Sequence, residues 1–294
     1  MIPSKAICIE SQEPGALSMF TIHEATILGE SLRYGVLTNP DSGTRKNRTL
    51  LFVPGLGGSV KGALDFLTEI LPAYDAIFAL DLRGFGLNNH VRLPNPNAYL
   101  DDLDAFIRDV VKPEGALSLA GISLGGAIAT RLAVRHPNRF DKLVLIAPAY
   151  KASPVSFPVS YVVKTLLGKI LGGKDHKATL PYGIEALTRN EALLSHPDYQ
   201  HKDRLQVLSG FLLSASFFNQ SAFSATNQIA CPTMMLVPGK DIVCDPEAMR
   251  QGFARIPDTT EKVLKDYPAL YHDILFEPEA PQVAAEVRDW LETV

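Results

Sequence analysis

The chain has 294 residues, 46% hydrophobic and 20% charged, with a formal net charge of −4, the profile of an ordinary globular protein. That length suits one large core carrying an insertion. No stretch approaches eighteen consecutive apolar residues, and no basic run of five or more supplies the attraction nucleic acid requires, so a membrane span and a nucleic-acid partner are both excluded as expectations.

The opening, MIPSKAICIESQE, lacks the basic start, apolar middle and small-residue cleavage site of a secretory signal, which makes the cytoplasm the expected location. Cys8, Cys231 and Cys244 form no CxxC and read as buried thiols rather than a metal knuckle or disulfide framework. MFTIHEATI and SLRYGVLTN, either side of Leu28-Gly29-Glu30, then predict an antiparallel hairpin.

From Thr49 the pattern changes. TLLFV, AIFAL, ALSLA and KLVLI are short apolar runs, each followed by a turn and helical periodicity, as buried parallel strands are. Between them Tyr99, Leu103, Phe106, Ile107 and Val110 recur at helical spacing, with Asp101, Asp102 and Asp104 expected on the wet side. The alternation stops after LVLIAPAY and resumes at CPTMMLVPGKD, with a helix start at Asp245-Pro246-Glu247, the strand run KVLKDY and a last helix containing Val283, Val287 and Trp290. Two parts of one α/β core, 1–150 and 227–294, therefore flank an insertion at 151–226.

The insertion reads as a small helical cap. VSYVVKTLLGKIL carries a stripe of Val159, Val162, Val163, Leu166, Leu167, Ile170 and Leu171 with Lys164 and Lys169 off it; GGKDHK follows as a loose linker; two further helices span roughly Tyr182 to Leu194 and Leu205 to Phe218. The stripe and FLLSASFF suit packing on the core, an acyl pocket or transient contact with a lipid surface.

If ALSLA is a strand and LGGAIATRLAVRH a helix, Ser123 occupies the strand-to-helix turn of G-x-S-x-G, here Gly121-Ile122-Ser123-Leu124-Gly125. Glycines permit the strained turn, and the helix N-terminus favours developing negative charge. The simpler alternative is a tight turn containing a chance serine. A serine nucleophile also needs a base oriented by a carboxylate. His272 falls between the late strand KVLKDY and the last helix, at the C-terminal edge of the sheet. His23, His90 and His136 have structural explanations, and His176, His196 and His201 belong to the cap.

Asp241 directly follows the strand TMMLVP and its turn, whereas Asp245 before Pro246 looks like a helix N-cap, so Asp241 is the expected acid. The chain order Ser123, Asp241, His272 matches the order this fold uses. LLFVPGLGGS places a glycine-rich turn after a strand, which assigns the oxyanion donors to the Leu56 and Leu124 N–H groups. PGLGGSVKG fits neither phosphate-loop pattern. No metal or organic cofactor is needed.

LLFVPGLGGS, FALDLRGFGLN, LAGISLGGAIA and MMLVPGKDIV, with the spacing before His272, resemble the α/β-hydrolase superfamily. More narrowly they resemble its monoacylglycerol lipase and lysophospholipase branch, and EALTRNEALLSHPDYQ in the cap is also similar to that branch. The resemblance implies an α/β-hydrolase fold, a mostly parallel eight-stranded sheet flanked by helices with an inserted helical cap, and a small-molecule ester or lipid-like substrate with an apolar acyl group. The chain departs from the branch at Pro54, where histidine is usual, at Phe85, also usually histidine, and at Asn88, where serine is common. A serine nucleophile argues against the related dehalogenases and epoxide hydrolases, which use aspartate. Hydrolysis of a thioester, amide or carbon–carbon bond, cofactor-free perhydrolysis and a receptor of the same fold are the alternatives.

Overall fold

The computed structural model describes residues 19–40, 47–195 and 206–293. Cys8, His196, His201 and Leu205 lie outside the described residues.

The hairpin forms as β1 (Met19–Ile27) and β2 (Glu30–Thr38), joined at Leu28 and Gly29, both at positive φ, the twist that matches two-residue hairpin turns to their strands. The apolar runs form β3 (Arg48–Val53), β4 (Ala76–Leu80), β5 (Ala116–Ile122) and β6 (Leu143–Ile146). The principal sheet is completed by β9 (Thr233–Pro238) and β10 (Lys262–Tyr267). Its eight strands run in the order β1-β2-β4-β3-β5-β6-β9-β10, antiparallel only at β1-β2 and β2-β4. Strand alternation sends Leu51 and Val53 into one hydrophobic layer and Leu50 and Phe52 into the other. Burial on both faces is why the sequence shows continuous rather than alternating apolar runs.

One layer is closed by α1 (Leu64–Ile70) and α8 (Ala280–Glu292), which pack together. On the other face lie α2 (Ala98–Phe106), extended by a wide turn at 107–111, and α3 (Leu124–Arg135). Helix α7 (Pro246–Arg255) begins at Asp245, whose side chain accepts from Glu247 N as an N-cap. One expectation for α2 is overturned. Asp102 is buried, and Arg83 reaches it with two bonds of 2.7 and 2.6 Å, so a neighbour's guanidinium draws this carboxylate inward.

The insertion is also less helical than expected. Helix α4 (Val159–Gly172) and α6 (Ser209–Ala225) are joined through β7 (Lys177–Thr179) and β8 (Gln206–Leu208), a two-stranded antiparallel ribbon. GGKDHK is not loose. His176 Nδ1 lies 2.8 Å from Ser209 Oγ, its ring fills the space left by Gly168 and Gly172, and its N–H bonds to Gly173 O. The expected helix from Tyr182 to Leu194 is instead a single tight turn at 184–186 and a four-residue helix, α5 (Glu191–Leu194), capped by Asn190. Side-chain bonding back to the core replaces helical pairing there.

Helix α4 is turned inside out. Thr165 is its one buried residue, whereas Val159, Val162, Val163, Leu166, Leu167, Ile170 and Leu171 are 45–85% exposed. The stripe does not pack on the core.

Candidate active site

Strand β5 delivers the chain to Ser123, which sits at φ 55° and ψ −120° as the N-cap of α3. A positive φ is strained for a residue with a side chain. Neighbouring bonds hold it there: Ser123 N donates to Ile146 O at 2.9 Å, and Ser123 O accepts from Ala127 N and Ala149 N. The flanking glycines are obligatory, since a Cβ on Gly121 would lie 2.3 Å from Gly125 O and one on Gly125 would lie 2.1 Å from Val53 O.

The loops after β9 and β10 bring Asp241 and His272 to this turn. His272 Nε2 lies 2.9 Å from Ser123 Oγ, and Nδ1 lies 2.6 Å from Asp241 Oδ2. The remaining oxygen, Oδ1, accepts from Val243 N at 2.7 Å and Cys244 N at 2.8 Å. The network assigns the tautomer: Nδ1–H donates to the carboxylate, leaving Nε2 to accept from the serine. Burial disfavours the charged imidazolium, but the charge and hydrogen bond of Asp241 outweigh it, so the His272 pKa is raised above its ordinary value. Cys244 also lies here, its Sγ within 4.8 Å of the Asp241 and His272 ligand atoms. A carboxylate, thiol and imidazole so placed resemble a metal donor set. Both Asp241 oxygens are already engaged by N–H groups, and burial holds the thiol well above its ordinary pKa.

Leu56 and Leu124 also line the cavity at Ser123. Leu124 opens α3, where N–H groups have no intrahelical acceptor, and among the described residues Leu56 N–H meets none either. Gly55 allows the loop to approach, since a Cβ there would lie 3.1 Å from Ser123 Cβ. With Pro54 in the histidine position, the loop takes its support from Asp81, whose carboxylate accepts from Val60 N and Leu87 N, both at 2.7 Å. Burial raises the Asp81 pKa to about 6. Phe85 packs edge-on against Phe211 of α6, and Asn88 bonds to Arg33 N, Arg33 O and Asp81 O.

The cavity has a volume of about 870 Å³. Phe211, Leu212 and Phe217 of α6 and Phe157, Tyr161 and Val162 from the α4 region give it an apolar wall. Sequence reasoning missed the residue that fastens this roof. Glu277, with a fully buried side chain, accepts from Thr188 Oγ1, Arg189 N, Arg189 Nε and Tyr271 N. It joins the 184–190 segment to the loop carrying His272. Glu before Pro278 reads in sequence as an unremarkable helix approach, so nothing short of the fold marks it.

Residues 44–279 match the family described as Serine aminopeptidase, S33 (Hydrolase_4). Monoglyceride lipase from Mus musculus is 28% identical over 271 residues, covering 85% of this chain and 84% of that protein. Monoacylglycerol lipase from Mycolicibacterium smegmatis is 26% identical over 229 residues, covering 73% and 77%. Among solved structures, the monoacylglycerol lipase of Paleococcus ferrophilus superposes with a TM-score of 0.71 at 22% identity, covering 83% of this chain and 93% of that one. A soluble variant of the Saccharomyces cerevisiae monoglyceride lipase, in complex with a substrate analog, gives 0.74 at 17% identity, covering 92% and 94%. Since the match spans most of the chain and the sheet has the order described above, the protein belongs to the Serine aminopeptidase, S33 family of α/β hydrolases.

Proposed function

We propose that the protein is a serine hydrolase cleaving carboxylic esters with apolar acyl groups. The observation that carries this reading is the 2.9 Å approach of His272 Nε2 to Ser123 Oγ at the floor of an apolar cavity. Similarity to monoglyceride lipases over most of the chain supports it.

Ser123 Oγ attacks the ester carbonyl as His272 Nε2 takes its proton. The Leu56 and Leu124 N–H groups hold the oxyanion, and Asp241 stabilises the imidazolium. The carbonyl re-forms, the C–O bond breaks, and the alcohol leaves with the proton from His272. Water, deprotonated by His272, then attacks the acyl-enzyme; the carboxylic acid departs and Ser123 regains its proton. Residues 151–226 serve as the cap over a core of 1–150 and 227–294, with the acyl chain beneath α4 and α6.

The outward apolar face of α4 supports a second role, docking of the cap on a lipid surface from the cytoplasmic side. Among the described residues no helix is long and apolar enough to cross a membrane.

The test is hydrolysis of a chain-length series of p-nitrophenyl esters and monoacylglycerols by the protein and by Ser123→Ala. Serine-dependent turnover rising toward medium or long chains is expected. Turnover confined to very short esters removes the acyl-pocket reading, and turnover that survives the substitution removes the nucleophile.

A further inference from the structure

The charged side chains lining the cavity besides His272 are Lys151, Glu185 and Asp273. Lys151 is turned largely to solvent and lies 3.8 Å from Asp245. Glu185 and Asp273 are different. Asp273 is half-buried whereas Glu185 is exposed, and among the described residues neither carboxylate has a hydrogen-bond or ion-pair partner. For Asp273, an unpaired carboxylate in a partly dry cavity is costly unless something in that cavity meets it, while Glu185 adds a solvated charge to the same lining.

Their placement identifies what would. Asp273 directly follows His272, and Asp273 N donates to Leu187 O at 2.8 Å, tying the 183–187 turn to this loop. Glu185 lies on that turn, its carboxylate folded over Gly183, where a Cβ would come within 2.2 Å of Oε2. Both acids therefore belong to the wall formed by the His272 loop and its attached turn. His272 must deliver its proton to the departing alcohol, so the wall beside it faces the leaving group.

Resting on the esterase reading above, we propose that Asp273, with Glu185 as an outer and better-screened charge, selects the leaving group, favouring heads that donate hydrogen bonds or carry positive charge and rejecting anionic heads. A hydroxyl donates into the free carboxylates, and a quaternary ammonium is attracted by their charge without a hydrogen bond. A phosphate or sulfonate meets the like charge of Asp273 where screening is reduced, and the better-screened charge of Glu185 beyond it, a repulsion large enough for tenfold discrimination or more. The same field repels the carboxylate product and assists its release. Asp273 supplies a pH signature: burial, then the nearby charges of Asp241 and Glu277, raise its pKa to about 6 against the opposing effect of His272. Its negative charge, and its share of the selection, are lost as pH falls through that value.

The test compares kcat/KM for three laurate esters below their aggregation limits: lauroylcholine, lauroylglycerol and 2-sulfoethyl laurate, whose head charges are fixed at every pH. At pH 8 the protein is expected to prefer the choline and glycerol esters over the sulfonate at least tenfold. Asp273→Asn is expected to reduce the choline-to-sulfonate ratio about fivefold or more, and the exposed Glu185→Gln to reduce it by a smaller factor of about two. In the unsubstituted protein the ratio falls between pH 7 and 5; His272 titration cancels because it affects both substrates. A ratio near one at pH 8, or one that neither substitution nor pH moves, overturns the proposal, and the pH series decides the matter if a variant fails to fold. p-Nitrophenyl laurate, which has no charged head, separates the two readings. Its Ser123-dependent turnover with an unmoved ratio overturns only the selection, whereas absent turnover overturns the esterase reading and the selection with it.

Discussion

Asp241 and His272 are joined at 2.6 Å through Oδ2 and Nδ1, while the other carboxylate oxygen is pinned by two backbone N–H groups. Asp241 thus fixes both the tautomer and the direction of the imidazole. Asp241→Asn is expected to reduce kcat by roughly 10³–10⁴, with KM little changed because Asp241 does not line the cavity. Steady-state kinetics on p-nitrophenyl laurate check this; a loss below tenfold would assign Asp241 a structural role only.

The same pair sets the pH dependence. In the proposed mechanism the base must be neutral to accept the serine proton, and the His272 pKa is raised because Asp241 outweighs the effect of burial. Activity is therefore lost as pH falls through a value above the ordinary histidine value of about 6.5. In Asp241→Asn the stabilising charge is gone while burial remains, so the acidic limb of kcat/KM is expected to move to lower pH. A limb that stays in place would mean that another group controls it.

How much of this was legible in the sequence follows from the kind of interaction involved. Ser123, Asp241 and His272 could be chosen because each sits at the end of a strand, and strand order along the chain limits which ends can meet. Asp245 could be set aside because helix capping is local. Asp102 was misassigned because its partner, Arg83, is nineteen positions away and outside the helix. Glu277 was invisible for the same reason: its partners at Thr188 and Arg189 are brought to it only by the return of the cap onto the core. Apolar periodicity found α4 correctly, but periodicity gives the presence of an apolar face and not the direction it points.

The buried pair itself gives a stability prediction. Arg83→Ala leaves the Asp102 carboxylate, whose side chain is 3% exposed, without its cation. Breaking such a pair on one side is expected to cost about 3 kcal/mol. Urea unfolding of Arg83→Ala at neutral pH checks the figure; a loss under about 0.5 kcal/mol would place the pair with ordinary surface salt bridges.

Glu277 links stability to activity. Glu277→Gln weakens charge-assisted bonds to Arg189 and forces an amide where two backbone N–H groups and a hydroxyl expect an acceptor, at a cost of about 2 kcal/mol. Because Tyr271 N, beside His272, is one of those partners, kcat is expected to fall about tenfold. The variant should remain folded at 25 °C. Calorimetry and kinetics on one preparation check both effects, and a lowered Tm with unchanged kcat would detach the cap junction from the His272 loop.

The cap gives the last prediction. On α4 the apolar arc faces solvent while Thr165 is buried against the protein, with Gly168 and Gly172 against His176, and the exposed Lys164 and Lys169 fall at the arc's two edges by helical spacing. Segment 151–226 holds eight basic and five acidic side chains although the whole chain has an excess of four acids. An exposed apolar arc edged by lysines suits a helix lying in the headgroup region of a bilayer, its lysine stems reaching back to the phosphates. Val163→Ser with Leu167→Ser is expected to weaken sedimentation with phosphatidylcholine vesicles tenfold or more, since each side chain contributes up to about 1.5–3 kcal/mol on burial. Lys164→Gln and Lys169→Gln should each weaken binding about fivefold, and only to vesicles containing phosphatidylglycerol, at about 1 kcal/mol per lysine. Because neither serine replaces a buried side chain, Tm should not fall. Vesicle binding that survives the double serine variant would return α4 to the role of a cavity roof alone.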